Sequence, residues 1–144
     1  KSVELFTRPV LRGYNESEYI LALHYLQDER DSSNQTKGFR LLNSSFYSTA
    51  KTENCVGLCH EFGLGTEKNE KKAFEYYSRA IELYFATYNV ARCYEEGIGV
   101  EVDVDRARRY FEEAAKGNVD ATNKLREFEE DKVRVRFRKK RNLY

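Results

Sequence analysis

A stretch of 25 residues beginning at Val56, VGLCHEFGLGTEKNEKKAFEYYSRA, returns 34 residues later from Val90 as VARCYEEGIGVEVDVDRARRYFEEA. Paired without gaps, the two copies agree at Val56/Val90, Cys59/Cys93, Glu61/Glu95, Gly63/Gly97, Gly65/Gly99, Glu67/Glu101, Ala73/Ala107, Tyr76/Tyr110 and Ala80/Ala114. A period of roughly 20 to 50 residues marks a solenoid, in which one supersecondary unit buries its apolar face only against its neighbours.

Within each copy the pattern reads as helix, glycine turn, helix. Val56, Gly57, Cys59 and His60, or Val90, Ala91, Cys93 and Tyr94, recur at helical spacing and give the first helix one packing stripe. Gly63 with Gly65, and Gly97 with Gly99, stand where the helix must end and the chain must pass through positive φ. Asn69 and Asp103 precede the second helix as matched N-caps, each a short side-chain acceptor for the first-turn N–H groups. That helix sets Ala73, Tyr76, Tyr77 and Ala80, or Ala107, Tyr110, Phe111 and Ala114, on one face.

At these residues the chain resembles the Sel-one-like repeat family, a branch of the tetratricopeptide-like α-solenoids. The resemblance is carried by Ala86, Val90, Ala91, Tyr94, Gly97, Gly99, Val100, Asp103, Arg106, Ala107, Tyr110, Ala114, Ala115 and Gly117. The earlier copy departs from it with His60 at the tyrosine, Thr66 at the valine, Asn69 at the aspartate and Leu83 near the terminal glycine. The fold implied is all-α, a right-handed α/α solenoid of about three helix-turn-helix repeats plus a C-terminal capping helix. The work implied is that of an adaptor or scaffold holding protein partners within a larger complex.

A worn copy lies upstream at an offset of 35, where Leu21, Ala22, Tyr25, Asn34, Lys37, Gly38, Leu41 and Leu42 fall on Val56, Gly57, His60, Asn69, Lys72, Ala73, Tyr76 and Tyr77. Residues 28 to 33 replace its glycine turn, which predicts a longer, more solvated loop. Downstream, Ala121 and Leu125 repeat Ala86 and Val90 before charge takes over. The organisation expected is an N-terminal arm (1–16), a solenoid over 17–130 with repeats 17–51, 52–85 and 86–120 and a cap at 121–130, and a basic tail (131–144).

The formal net charge of +1 hides two opposite segments. KVRVRFRKKR, residues 132 to 141, holds seven of the 25 basic residues and no acid, which leaves 18 basic against 24 acidic residues elsewhere. Basic residues alternate with Val133, Val135 and Phe137, a period of two that favours an extended strand. Lys132, Arg134, Arg136, Arg138, Lys139, Lys140 and Arg141 are candidate polyanion-binding residues, with RNA as the candidate ligand. The plainer alternative is a solubilising tail, or one folded back on the acidic solenoid.

Chemistry is sparse. The two histidines, the lack of a nucleophile, zinc or phosphate-loop motif and the helical context of the G-x-G pairs point away from an enzyme, and no cofactor or small-molecule substrate is expected. Cys55, Cys59 and His60 have helix-face metal spacing, but the register places His24, Cys59 and Cys93 at one repeated position, which favours packing over metal. No apolar run reaches the roughly 18 residues of a membrane span. Unpaired cysteines suit a reduced, intracellular compartment, while sequons at Asn15, Asn34 and Asn43 would matter in a lumenal one. With Lys1 at the start and no methionine in the chain, further sequence upstream is expected.

Function therefore falls to surfaces. Asn54, Leu58 and Glu61, with Asn89, Arg92 and Glu95, are the candidate partner-binding residues on the first helices; the alternative for them is plain solvated polarity. Leu58 stands out because its counterpart is Arg92. The leading reading is a non-catalytic interaction scaffold binding a protein partner through the solenoid. Its alternative is a structural or accessory subunit of a ribonucleoprotein assembly with the basic tail on RNA.

Overall fold

The computed structural model describes residues 15–44 and 49–142. Among them are seven α-helices and no strand: α1 (Asn15–Leu26), α2 (Ser32–Asn43), α3 (Ala50–Phe62), α4 (Glu70–Arg79), α5 (Tyr84–Glu96), α6 (Val104–Ala114) and α7 (Val119–Asn142). All but the last two residues of the N-terminal arm lie outside the described residues. The helices pack as pairs, α1 with α2, α3 with α4 and α5 with α6, and each pair leans on the next first helix. The second and third pairs begin about two residues ahead of the sequence boundaries, at Ala50 and Tyr84.

Three apolar clusters hold the stack, and each reaches from one repeat into the next. Ala22, Leu42, Cys55, Val56 and Cys59 join the first pair to α3. Ala73, Tyr77, Val90, Cys93 and Ile98 join α4 to α5. Ala91, Ala107, Phe111, Ala114 and Ala121 join the third pair to α7. Alanine at 73, 80, 107 and 114 is fully buried, which brings the helix axes close enough for Tyr77 and Phe111, also fully buried, to fill the gaps. Val56, Cys59, Val90 and Cys93 serve these inter-repeat seams. His24, at the equivalent position of α1, is exposed because no earlier repeat covers that face among the described residues.

Both glycine turns repeat bond for bond. The Leu64 and Ile98 N–H groups donate to the Cys59 and Cys93 carbonyls (2.9 Å each), and those of Asn69 and Asp103 to His60 and Tyr94 (2.7 and 2.8 Å). Asn69 and Asp103 cap α4 and α6, accepting from the Lys72 and Arg106 amides at 3.0 Å. Gly65 and Gly99 have φ of +71°, and a Cβ there would meet the Gln35 or Glu70 carbonyl of the preceding second helix. Glycine is required twice over, for handedness and for the close approach by which one repeat seats on the last.

The worn first repeat differs from its expectation. Its turn occupies residues 27 to 31, five against the seven of 63–69 and 97–103, so it is shorter, though largely solvated. Asp31 rather than Asn34 caps the second helix, accepting from the Ser33 N–H at 2.9 Å. Asn34 instead donates to Asp28 across the turn at 2.9 Å. Gly38 does occupy the alanine position: it is buried, and a Cβ there would press on the Ala22 carbonyl and Leu26.

The C-terminal segment corrects the sequence reading most. Residues 132–141 are not an extended strand; α7 continues unbroken from Val119 to Asn142, so cap and tail are one 24-residue helix. At an offset of 35, Lys132 and Arg134 stand where Gly97 and Gly99 turn the previous repeat, and without those glycines the helix runs on. Its first half acts as a cap. Ala121, Leu125 and Phe128 keep the packing of Ala86, Val90 and Cys93, while Tyr88, Ala91 and Tyr94, which face α6, become Asn123, Arg126 and Glu129, all exposed. A further second helix would find no apolar face there.

Candidate interaction surface

Of the six positions proposed on the first helices, Asn54, Glu61, Asn89 and Arg92 form one hydrogen-bonded network. Asn89 donates its amide to the Asn54 side-chain carbonyl at 2.9 Å, so two asparagines 35 residues apart, one beyond the 34-residue register, pair across α3 and α5. Arg92 donates to both carboxylate oxygens of Glu61, at 2.8 and 3.1 Å, and also reaches Asn89 Oδ1. Tyr77 donates its hydroxyl to Glu61 at 2.6 Å from beneath. Asn54, Glu61 and Asn89 are buried and Arg92 is 16% exposed, which overturns the reading of these positions as solvated. A buried carboxylate is tolerated here because three charge-directed donors replace its water.

The electrostatics follow. Burial works against the Arg92 charge, but the Glu61 carboxylate outweighs it and holds the guanidinium more firmly protonated than usual. Burial, reinforced by the bond to Glu61, pushes the Tyr77 phenol far up, so it stays a donor. The next junction repeats the logic with different residues: Lys124 of α7 meets Glu95 of α5 at 3.4 Å. First helices are thus tied by an acid on the earlier one and a base on the later. Leu58 is half-buried against the Tyr77 cluster, which accounts for its apolar character internally.

The cysteines line the core. All three are free and buried; burial first, then the neighbouring Cys55 or Glu61, pushes Cys59 and Cys93 up to about 12. Burial also raises Cys55, partly offset by its contact with the Tyr19 hydroxyl. Among the described residues, no group of three His, Cys, Asp or Glu side chains is arranged to hold a metal ion. No helix among them is long and apolar enough to cross a membrane.

The basic segment lies on the solvent side of α7, where residues 132 to 140 are exposed throughout. Lys132 and Arg134 pair one turn back with Glu129 and Asp131 at 3.4 and 3.7 Å. Arg136, Arg138, Lys139 and Lys140 continue along the helix beyond the last acid, and Arg141 belongs to the same helix. Helical spacing places Val133 and Phe137 together, 47% and 59% exposed, instead of in a row with Val135.

One surface feature escaped the sequence reading. Ile81, Tyr84 and Phe85 lie exposed around the turn from α4 to α5. The signal was available: at 34 or 35 residues' spacing Phe85 has Lys51 and Asp120 as counterparts, and Ile81 has Lys116.

Helix pairs stacked through shared clusters and glycine turns define an α/α solenoid. Residues 56–84 and 85–119 match the Sel1 repeat, so the chain carries two Sel1 repeats in tandem. The α1–α2 pair lies outside the match. Two solved structures share the fold. A Sel1 repeat protein from Oxalobacter formigenes is 24% identical with a TM-score of 0.67, over 88% of this chain and 98% of that one. A protective antigen present in uropathogenic Escherichia coli strains, displaying an SLR fold, is 24% identical with a TM-score of 0.71; 85% of this chain spans 27% of it. None of the curated proteins compared with the chain matches it.

Proposed function

We propose that this protein is a non-catalytic scaffold that holds a protein partner against the face formed by its first helices, α3, α5 and α7. The observation that carries the reading is the polar seam. Asn54, Asn89, Arg92 and Glu61 spend their hydrogen bonds on one another and fix the spacing of α3 and α5 before any partner arrives. A preorganised face avoids the ordering cost that weakens a flexible one. On it, Leu58, Arg92 and Glu95 are half-buried and edge the seam. A photo-crosslinker at position 95 should trap a discrete partner, while one at the exposed position 112 on α6 should not. Equal trapping from both positions would overturn the reading.

A second reading rests on α7. Its basic residues run along one exposed helix free of acids beyond Asp131, the form that suits contact with a polyanion such as RNA. Retention on RNA should then fall steeply with salt, and Arg134→Glu, Arg136→Glu and Arg138→Glu together should remove it. Retention unchanged by the triple substitution would end this reading.

A further inference from the structure

The second and third repeats carry the same cleft beside their glycine turns, built from a ring on the first helix and a residue on the second. In the third repeat Tyr94 stacks on Tyr110 (5.6 Å, 8°), meets Phe74 of the preceding repeat edge-on (5.5 Å), and its hydroxyl accepts from Arg106 at 3.4 Å. In the second repeat His60 takes the place of Tyr94. It stacks on Tyr76 (5.6 Å, 20°) and meets Phe39 edge-on (5.4 Å), so the aromatic frame is kept. The chemistry changes. Lys72, the counterpart of Arg106, has no phenol to donate to, and the buried Nδ1 of His60 has no hydrogen-bond partner.

His60 is only 6% exposed, so an orphan nitrogen there is a deficit of the kind native structures rarely leave uncompensated. The cleft it lines, about 420 Å³, also presents Asn43, Thr66, Lys72, Glu75 and Arg79. The second helix contributes two cations against one carboxylate, and α2 contributes the uncharged Asn43 and Phe39. The turn contributes Thr66, and the Glu67 backbone works against burial by favouring the charged imidazole. Arg79 is anchored over the Tyr76 ring at 4.8 Å, so its guanidinium stands at the edge of the cleft.

We propose that this cleft binds a single anionic group, a carboxylate or a phosphate, presented by a partner peptide and held by Lys72 and Arg79 with His60 as the donor beneath. The idea extends the scaffold reading by giving the partner a charged anchor. Burial, with the charge of Lys72, lowers the proton affinity of His60, so the free cleft holds a neutral imidazole near pH 7. An anion between Lys72 and Arg79 cancels that field, and the imidazole takes up a proton and donates Nδ1–H. By linkage, anion binding and protonation strengthen each other. Affinity rises as pH falls, by about tenfold for each unit the anion adds to the His60 midpoint, and levels off once His60 is protonated in the free protein.

The test follows the ring C–H resonances of both histidines through a pH titration at constant ionic strength. Chloride alone is compared with added sulfate, a phosphate-like anion that does not titrate in this range, and with added acetate. The proposal expects the His60 midpoint to start below the ordinary value and to rise with sulfate, acetate or both; the two arms tell phosphate-like from carboxylate ligands. His60→Tyr, which installs the residue of the next repeat and so preserves the stack, should remove the pH dependence of anion affinity. Lys72→Gln should weaken binding. A His60 midpoint indifferent to both anions, or a His60→Tyr protein with unaltered pH-dependent affinity, overturns the proposal. Small anions need no partner protein, so that result would leave the scaffold reading standing.

Discussion

Replacing Arg92 by methionine isolates the energetics of the seam. Glu61 is 6% exposed and its carboxylate takes two bonds from Arg92 and one from Tyr77. Methionine fills the aliphatic volume but leaves the carboxylate buried with one donor. Stranding a buried charge in this way costs about 3–5 kcal/mol, a large share of the roughly 5–15 kcal/mol that holds a domain folded. The reverse change, Glu61→Gln, should cost less, about 1–3 kcal/mol for imperfectly satisfied partners. Arg92 is long and already 16% exposed, so its head can turn to water, whereas Glu61 cannot. The double variant should cost well below the sum of the two, because no charge is then stranded. Urea unfolding of the four proteins reads all three values. Additive losses, or a smaller loss for Arg92→Met than for Glu61→Gln, would show that the seam is not a coupled buried network.

Other outcomes follow from single features. Gly65→Ala should destabilise more than Gly63→Ala in thermal melts, since both sit at positive φ but only at Gly65 does the added methyl meet the Gln35 carbonyl; equal losses would refute the seating of one repeat on another. The thiols should resist a thiol-specific reagent at neutral pH and react in step with unfolding, because burial raises all three and pushes Cys59 and Cys93 up to about 12. Val135→Pro should lower the far-ultraviolet helical signal and leave the melting temperature nearly unchanged, since residues 131 to 140 are all exposed. Because the fold holds His60 below its ordinary value, the unfolded chain binds protons first, and stability should fall as pH drops through that ordinary value, less so in His60→Tyr.

Local features were the legible ones. The glycine turns and the Asn69 and Asp103 caps depend on a residue and its neighbours within one turn, so identity at a fixed period was enough to place them. The seam was harder. Asn54, Glu61, Asn89 and Arg92 read as surface positions, partner-binding or plainly solvated, and only the stacking of α3 on α5 shows that they face each other. The clue lay in Asn54 and Asn89 sharing an identity. In the tail, the alternation over 132–138 has strand periodicity, but the more telling feature is a missing turn: Lys132 and Arg134 replace glycines, and nothing stops the helix. The first repeat's turn was misjudged for the opposite reason, since Asp31 starts α2 one turn earlier than the register placed it.

The central claim is that the first helices form a binding face made rigid by their own buried polar seam. Amide chemical-shift mapping of the captured partner on the isotopically labelled protein tests it most directly. The account predicts perturbations concentrated on α3, α5 and the first half of α7, and fading in Arg92→Met even where the partner touches other residues. Shifts confined to the outer faces of α4 and α6, or to α7 beyond Asp131, would contradict it.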